Sequence, residues 1–367
     1  MRLKQNPKHR QHKPQQRWMA VPIALAMLAG TAVMPAAIGK GYAASKSAQP
    51  AIQLKTIPMI VNGQALQVPA GMVESETYIG LRFLSEQLGM AAKWDPKTNT
   101  VSVSKKNKAM TMKAGSNEFT VNEHRIYGSA PIALKGTTYL PLRFLLEQMG
   151  FRIGYDGTKK TVTIQNIQEN DVIMTNKMID TPYRKLSLTL QYPQLSGWKD
   201  AAVQDKINSF LTSKVKEYEK SGKSLIDDAY EWGYEEDLSR VTYSLDYTVT
   251  YNEQNKLSLY FDIYLYSGGV HGMYDYVGYT FDLTTGEELS LKQATGNHPD
   301  YINIINREIK KQLKQSEIIL MHPFETIKAD QRYFLRGNAI VVYFSLYEYL
   351  PYAAGIPEFS IPLSAFK

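Results

Sequence analysis

A gap-free internal repeat is the feature that most constrains the fold of this chain. Residues 77–89 recur as residues 138–150, an offset of 61 residues, and the match continues from Asp95 to Asp156 and from Thr100-Val101 to Thr161-Val162. Self-similarity at a fixed offset indicates two copies of one supersecondary unit. Because one unit is too small to enclose a core alone, we expect the two copies to complete one core together.

Each copy predicts a short helix followed by a β-hairpin. Apolar residues recur at helical spacing in both copies, and Gly89 and Gly150 stand where a left-handed C-cap belongs. These stripes are Leu81, Leu84 and Leu88 in the first copy and Leu142, Leu145 and Met149 in the second. Turns are expected at Asp95-Pro96 and Asp156-Gly157, and Asn62-Gly63 predicts a further hairpin ahead of the first helix.

Both copies contain the motif Tyr-Ile/Leu-Gly/Pro-Leu-Arg-Phe-Leu, followed by an aromatic-Asp turn and a Thr-Val strand. This pattern resembles the stalk domain that is named after the N-terminus of copper amine oxidases. The resemblance covers residues 57–166 and implies a domain of exported proteins. We expect no copper oxidase activity, because that chemistry needs a histidine cluster, and this stretch contains only His124. Arg82 and Arg143 could bind a ligand, but pairing with the glutamate four residues on is the favoured interpretation.

The first 43 residues have the layout of a secretory signal peptide. A basic run up to Arg17 precedes an uncharged apolar segment, and small residues follow at Ala43 and Ala44. The layout predicts a secreted or cell-surface protein, with residues 44–56 as a flexible leader. If the segment is not cleaved, it would remain as a membrane anchor, and this alternative stays open.

Charge and cysteine content exclude several classes of protein. The chain has 42 Lys and Arg against 35 Asp and Glu, but seven of the bases and none of the acids lie in residues 1–43. The remainder is neutral overall, which argues against a nucleic-acid partner. The absence of cysteine excludes a disulfide framework and a lipid-bearing cysteine.

The second half is rich in tyrosine and in alternating segments. Of the 25 tyrosines, 20 lie between Tyr183 and Tyr352, which places a domain boundary just after residue 166. Alternation predicts an antiparallel pair over residues 241–251 and 257–265. Further strands are expected at residues 186–190, ended by Tyr192-Pro193, at residues 277–283 and at residues 339–344.

Two helices interrupt these strands. The first has Asp200 as its expected N-cap and Gly222 as its expected C-cap, and the second follows Pro299. Strands interrupted by helices predict an α+β fold with an antiparallel sheet rather than parallel winding. The whole chain is therefore predicted as tandem hairpin-and-helix repeats followed by an α+β domain with two main helices.

This half contains three ordered motifs, at residues 267–272, 281–289 and 347–355. They resemble an extracellular domain pair found in two kinds of protein, the lysozyme-binding anti-sigma factor of Gram-positive bacteria and a peptidoglycan deacetylase. The resemblance covers residues 171–367, divided into 171–255 and 256–367. It implies a module with which one relative binds lysozyme, whereas the other owes its activity to a separate catalytic domain that this sequence does not contain.

Aromatic side chains on one face of this half form the candidate binding surface. They are Tyr260, Tyr264, Tyr266, His271, Tyr274, Tyr347, Tyr349 and Tyr352. Tyrosine supplies a large rigid area with one polar end, which suits stacking on sugars or anchoring a protein. The alternative is a second core face packed under a helix. For the histidine, a hydrogen-bonding role in a glycine-rich crossover is favoured over metal binding, because no second histidine stands at ligand spacing.

No catalytic set converges in the sequence. Glu231, Glu235, Glu236 and Asp237 could supply the paired carboxylates of a glycosidase, although so dense a run favours a solvated turn. The sequence predicts a non-catalytic cell-envelope protein, without cofactor or metal, that binds a lysozyme-like protein or peptidoglycan. The alternative is a cryptic cell-wall hydrolase or deacetylase accessory that uses His271 and nearby carboxylates.

Overall fold

The computed structural model describes residues 52–73, 76–184, 186–231, 241–267, 270–316 and 318–367. The predicted signal peptide lies outside these residues. The described helices are α1 (Leu81–Leu88), α2 (Leu142–Gln148), α3 (Ala201–Glu231), α4 (Leu291–Ala294) and α5 (Tyr301–Ser316). None of them is long and apolar enough to cross a bilayer.

Strands dominate both domains. Residues 52–166, here called the repeat domain, contain β1 (Gln53–Val61), β2 (Gln64–Val73), β3 (Glu76–Gly80), β4 (Ala91–Asp95), β5 (Thr100–Lys105), β6 (Lys108–Lys113), β7 (Glu118–Val121), β8 (His124–Tyr127), β9 (Ile132–Leu134), β10 (Thr137–Pro141), β11 (Phe151–Asp156) and β12 (Thr161–Asn166). Residues 171–367, the second domain, contain β13 (Ile173–Asp180), β14 (Ser187–Ser196), β15 (Thr242–Glu253), β16 (Lys256–Tyr266), β17 (Met273–Asp282), β18 (Tyr333–Arg336), β19 (Ala339–Tyr343) and β20 (Glu358–Pro362). The fold is α+β, as predicted.

The two copies of the repeat pair with each other through β3 and β10. These equivalent strands run antiparallel, with Gly80 opposite Tyr139 and Pro141 opposite Tyr78. In each pair, replacing both residues by their equivalents in the other copy gives the other pair. This relation is expected when a local twofold axis passes between the two strands. The pair lies in a seven-stranded sheet of order β11-β12-β1-β2-β3-β10-β9, whereas β4 to β8 form a separate five-stranded meander.

One apolar core joins the two copies. Leu84 of α1 and Leu145 of α2 are fully buried in the same cluster, which confirms the prediction that the copies complete one core. Gly89 ends α1 with a φ of 62°, and Gly150 follows α2 with a φ of 79°, so both predicted left-handed positions are confirmed. The predicted leader is too long, because β1 begins at Gln53.

The second domain has four layers, formed by two helices and two sheets. α3 packs on one face of a five-stranded sheet of order β13-β14-β15-β16-β17, burying Ile207 and Leu211 against Phe261. The small sheet β18-β19-β20 covers part of the other face, and α5 buries Ile305 and Ile309 on the far side of that small sheet. The predicted pair of main helices is thus confirmed, and the two helices lie on opposite outer faces.

Two predicted strand boundaries in this domain are wrong. β14 continues through Pro193, where it still pairs with β13. Beyond Leu190 it no longer pairs with β15, so the missing N–H of the proline removes no hydrogen bond to that strand. β17 begins at Met273, four residues before the predicted start. The division between residues 255 and 256 falls in the turn of the β15–β16 hairpin, whose strands share one sheet.

Of the two predicted caps of α3, the N-cap is confirmed and the C-cap is wrong. Asp200 is an N-cap as predicted, since its carboxylate accepts hydrogen bonds from the backbone of Ala202 at 3.0 Å and of Val203 at 3.2 Å. The predicted C-cap is wrong, because the helix passes through Gly222 to Glu231. A Cβ at Gly222 would lie 2.4 Å from the ring of Tyr243, so close packing requires glycine here.

Candidate functional site

An aromatic cluster lies at the loop end of the β16–β17 hairpin, where Tyr264 pairs with Tyr274. It consists of Tyr264, His271, Tyr274, Tyr347 and Tyr352. The ring of His271 stacks on Tyr352 with centroids 3.8 Å apart and planes inclined by 21°. Tyr274 meets the same ring edge-on at 5.7 Å, and Tyr347 lies 5.9 Å away. Tyr352 is therefore the centre of the cluster.

The backbone of Gly272 ties these rings together. Its carbonyl accepts the hydroxyl of Tyr352 at 2.7 Å and Nδ1–H of His271 at 3.0 Å. A Cβ at this glycine would lie 2.4 Å from the ring of Tyr264, so only glycine allows that contact. Because a carbonyl can only accept, Nδ1 carries the hydrogen, and Nε2 has no partner among the described residues.

Arg332 fixes the segment that carries Tyr347 and Tyr352. Its guanidinium donates to the Asp275 carboxylate at 2.8 Å and the Tyr276 carbonyl at 2.7 Å on β17, and its other nitrogen donates to the Ser345 hydroxyl. This arrangement joins the strand to the start of the segment. Sequence patterns gave no signal for this role, since an isolated arginine far from the motifs carries none.

Tyr347 adopts a φ of 65°, a conformation that aromatic residues rarely take. Such backbone costs about 1–3 kcal/mol and persists only where the surroundings impose it. Here a tight turn imposes it, because Glu348 accepts a hydrogen bond from the backbone of Ser345 at 2.8 Å. Strained residues are concentrated at functional sites, which makes this turn part of the candidate site.

The cluster presents neutral hydroxyl groups. Burial raises the pKa of the Tyr264, Tyr274 and Tyr352 phenols. Neighbouring phenols raise each pKa further: Tyr266 acts on Tyr264, and phenols of the cluster act on Tyr274 and Tyr352. Beneath the rings, burial raises the pKa of Asp262 to about 7, with smaller contributions from the carboxylates of Asp246 and Asp275. The rings therefore offer uncharged hydrogen-bonding groups at neutral pH.

Exposed apolar side chains flank the cluster. Val270 is 97% exposed and Met273 is 43% exposed, and His271 between them is also exposed. The surface thus combines stacked rings, phenolic hydroxyls and two apolar side chains. Such a combination suits a ligand with both apolar faces and polar edges.

Not every predicted aromatic residue belongs to this cluster. Tyr260 lies between the two sheets, with its ring 5.2 Å from Phe334, and Tyr349 packs on Phe344 at 4.8 Å in the core beneath α5. Tyr266, the last residue of β16, lies opposite Thr242, the first residue of β15. The alternative of a second core face is correct for Tyr260, although a sheet rather than a helix covers it.

Other candidate residues have structural explanations. Arg82 pairs with Glu86 at 3.8 Å, and Arg143 pairs with Glu147 at 3.0 Å, as the favoured interpretation predicts. Glu231 is the last residue of α3, whereas Glu235, Glu236 and Asp237 lie outside the described residues. Within the described ranges no group of three or more His, Asp or Glu side chains is placed to hold a metal ion.

The fold is that of an α+β protein, and the family matches of its second half indicate a cell-envelope-associated domain of unknown function. Three family models match successive parts of the chain. Residues 53–175 match the copper amine oxidase N-terminal domain, residues 180–274 match deacetylase PdaC, and residues 295–364 match the protein of unknown function family DUF3298. The aromatic cluster draws residues from both of the last two matches.

Solved structures resemble about half of the chain. A DUF3298 family member from Bacteroides fragilis is 17% identical, covering 53% of this chain and 90% of its own, with a TM-score of 0.36. A DUF3298 family protein from Pseudomonas aeruginosa is 15% identical with the same coverage and a TM-score of 0.31. No curated protein matches the chain.

Proposed function

We propose that this chain is an exported, non-catalytic binding protein of the cell envelope, and that the aromatic cluster recognises the glycan of peptidoglycan. The observation that carries the proposal is the stacked, half-exposed arrangement of Tyr352, His271 and Tyr274. Aromatic rings bind the apolar faces of sugars, and phenolic hydroxyls bind their edges. The repeat domain then serves as a spacer or a second binding unit.

A lysozyme-like protein is the second candidate ligand. The exposed Val270 and Met273 favour it, because apolar side chains around aromatic anchors are typical of the centre of a protein interface. The same cluster would supply the anchors in either case.

The geometry around His271 supports binding rather than catalysis. Nδ1 is occupied by the Gly272 carbonyl, and none of the described carboxylates hydrogen bonds to the ring. A general base needs its partner and its substrate within hydrogen-bond reach. The alternative of a hydrolase that uses this histidine therefore has weaker support.

Sedimentation with purified peptidoglycan sacculi tests the proposal. We expect residues 45–367 to sediment with sacculi and to leave the turbidity of the suspension unchanged. His271→Ala and Tyr352→Ala should each weaken binding about tenfold, the usual effect of truncating an aromatic anchor. Immobilised lysozyme in a parallel experiment distinguishes the second ligand.

Tyr155→Ala is the matched control, because Tyr155 is 61% exposed and lies in the repeat domain. It should bind like the wild type, and thermal unfolding should show that all three variants fold. Clearing of the suspension, or no binding to either sacculi or lysozyme, would overturn the proposal. Equal losses in all three variants would also refute the assignment to the cluster.

A further inference from the structure

α5 carries a row of cations on its outer face. Ile305 and Ile309 point into the core, which directs the opposite side of the helix to solvent. That side is exposed and basic, with Arg307, Lys310, Lys311 and Lys314. They line an open groove of about 840 Å³.

Few of the described acidic residues lie near this row. Glu308 pairs with Lys311 at 3.7 Å, and Glu325 lies on the opposite wall of the groove. Arg307, Lys310 and Lys314 form no ion pair with a described carboxylate. Among the described residues, four cations and two acids therefore line this face, whereas the second domain as a whole carries 20 Lys and Arg against 26 Asp and Glu.

An exposed apolar segment follows the same helix. Ile319 is 88% exposed, Met321 is 52% exposed and Ile318 is 38% exposed. Leaving three large apolar side chains in water within four residues is unfavourable, and such patches mark interaction sites. The backbone of this segment is held in place, since Met321 N–H donates to the Tyr349 carbonyl at 2.9 Å.

The basic row and the apolar segment belong to one surface. After the segment, the chain runs back along the helix until Asn306 donates to Thr326 at 2.7 Å and accepts from Ile327 N–H at 2.9 Å. The returning chain forms the second wall of the groove through Glu325 and Thr326. The apolar side chains therefore lie at the end of the groove next to Lys314.

We propose that this surface docks on an anionic phospholipid bilayer. The apolar side chains of Ile318, Ile319 and Met321 enter the outer part of the bilayer, and the cations of α5 contact lipid phosphates. Basic side chains and buried apolar groups contribute together to such peripheral binding. Binding of a soluble polyanion would explain the basic row but not the exposed apolar segment. That segment requires a partner with an apolar interior.

Co-sedimentation with lipid vesicles tests this inference. All variants are compared in residues 45–367, which contain every described helix and strand, because the basic and apolar first 43 residues would bind vesicles themselves. We expect binding to vesicles that contain phosphatidylglycerol and little binding to pure phosphatidylcholine. Replacing Lys310, Lys311 and Lys314 together by glutamine should weaken binding about 100-fold, since each charge contributes roughly fivefold.

Ile319→Ser with Met321→Ser should weaken binding about tenfold or more while leaving the charge unchanged. The matched control replaces the exposed Lys177, Lys216 and Lys220 of the same domain by glutamine, and it should retain binding. Equal loss in this control would overturn the inference as a general charge effect. It would also be overturned if the chain bound a soluble glycerol-phosphate polymer or nucleic acid but no vesicle.

Discussion

Gly278 lies where the small sheet crosses β17. A Cβ at this position would lie 2.2 Å from the Tyr333 carbonyl oxygen, and Gly278 N–H donates to the Tyr343 hydroxyl at 2.7 Å. Since a backbone atom cannot swing away as a side chain can, Gly278→Ala should separate the two sheets. We expect the free energy of unfolding to fall by about 3 kcal/mol, as for other overpacked cores, measured by urea titration.

Gly157→Ala is the matched control for that substitution. A Cβ there would meet only the Tyr155 ring, at an ordinary contact distance of 3.9 Å. It should change stability by less than about 1 kcal/mol. A similar effect of the two substitutions would contradict the account of the sheet crossing.

Asp262 predicts a pH dependence of stability. Its pKa rises from 3.8 to about 7 on folding, mainly because of burial. The folded chain then binds more protons than the unfolded chain between these values, so the free energy of unfolding falls as the pH rises from about 4 to about 7. Asp262→Asn removes this dependence. The free energy of unfolding of the variant minus that of the wild type should therefore increase by a few kcal/mol from pH 4.5 to pH 8.

Urea titrations at the two pH values measure this difference. Asp205→Asn on the exposed face of α3 is the control, and it should leave the pH dependence of the wild type intact. A constant difference between Asp262→Asn and wild type across this range would show that the carboxyl ionises normally in the folded chain.

At the scale of elements, periodicity predicted most of the architecture. The repeat fixed α1, α2 and their hairpins, because the same short motif implies the same unit twice. The sequence predicts that α3 ends at Gly222, but the helix continues to Glu231. The buried Ile226 and Ala229 continue the helical stripe beyond Gly222, so the pattern itself contained the correct end.

The candidate site could be predicted only in part. Alternation along β16 places Tyr260 and Tyr264 on one face, but it does not reveal that the small sheet covers only the first of them. Joining Tyr264 to Tyr352 also depends on a contact between strands and a segment far apart in the sequence. No local pattern specifies that contact, and Arg332, which fixes it, stands outside every motif.

At the scale of the whole molecule, polar contacts join the repeat domain to the second domain. The turn before β8 places His124 against Asp246 at 2.5 Å, and its ring stacks on Tyr247 at 3.9 Å. Arg152 of β11 donates to both carboxylate oxygens of Glu253 at 2.7 and 2.8 Å. The two domains are thus fixed to each other by directional bonds rather than by a shared apolar core.

This junction predicts how the domains unfold. Glu253 is 8% exposed, so Arg152→Ala would leave a buried carboxylate without its partner. Such a loss costs about 3–5 kcal/mol, whereas adding Glu253→Ala should recover part of it because the unpaired charge is removed. Calorimetry should show one transition for the wild type and two for Arg152→Ala, since the domains no longer stabilise each other.

Arg125→Ala separates the junction from a general effect of losing an arginine. Arg125 pairs with Glu118 at 3.2 Å inside the repeat domain, and both side chains are about half exposed. This exposed pair should contribute less than 1 kcal/mol, and its loss should leave a single transition. If Arg152→Ala also unfolds in one transition with an equally small loss, the buried pair does not couple the domains. The domains would then be coupled by their other contacts, such as the one between His124 and Asp246.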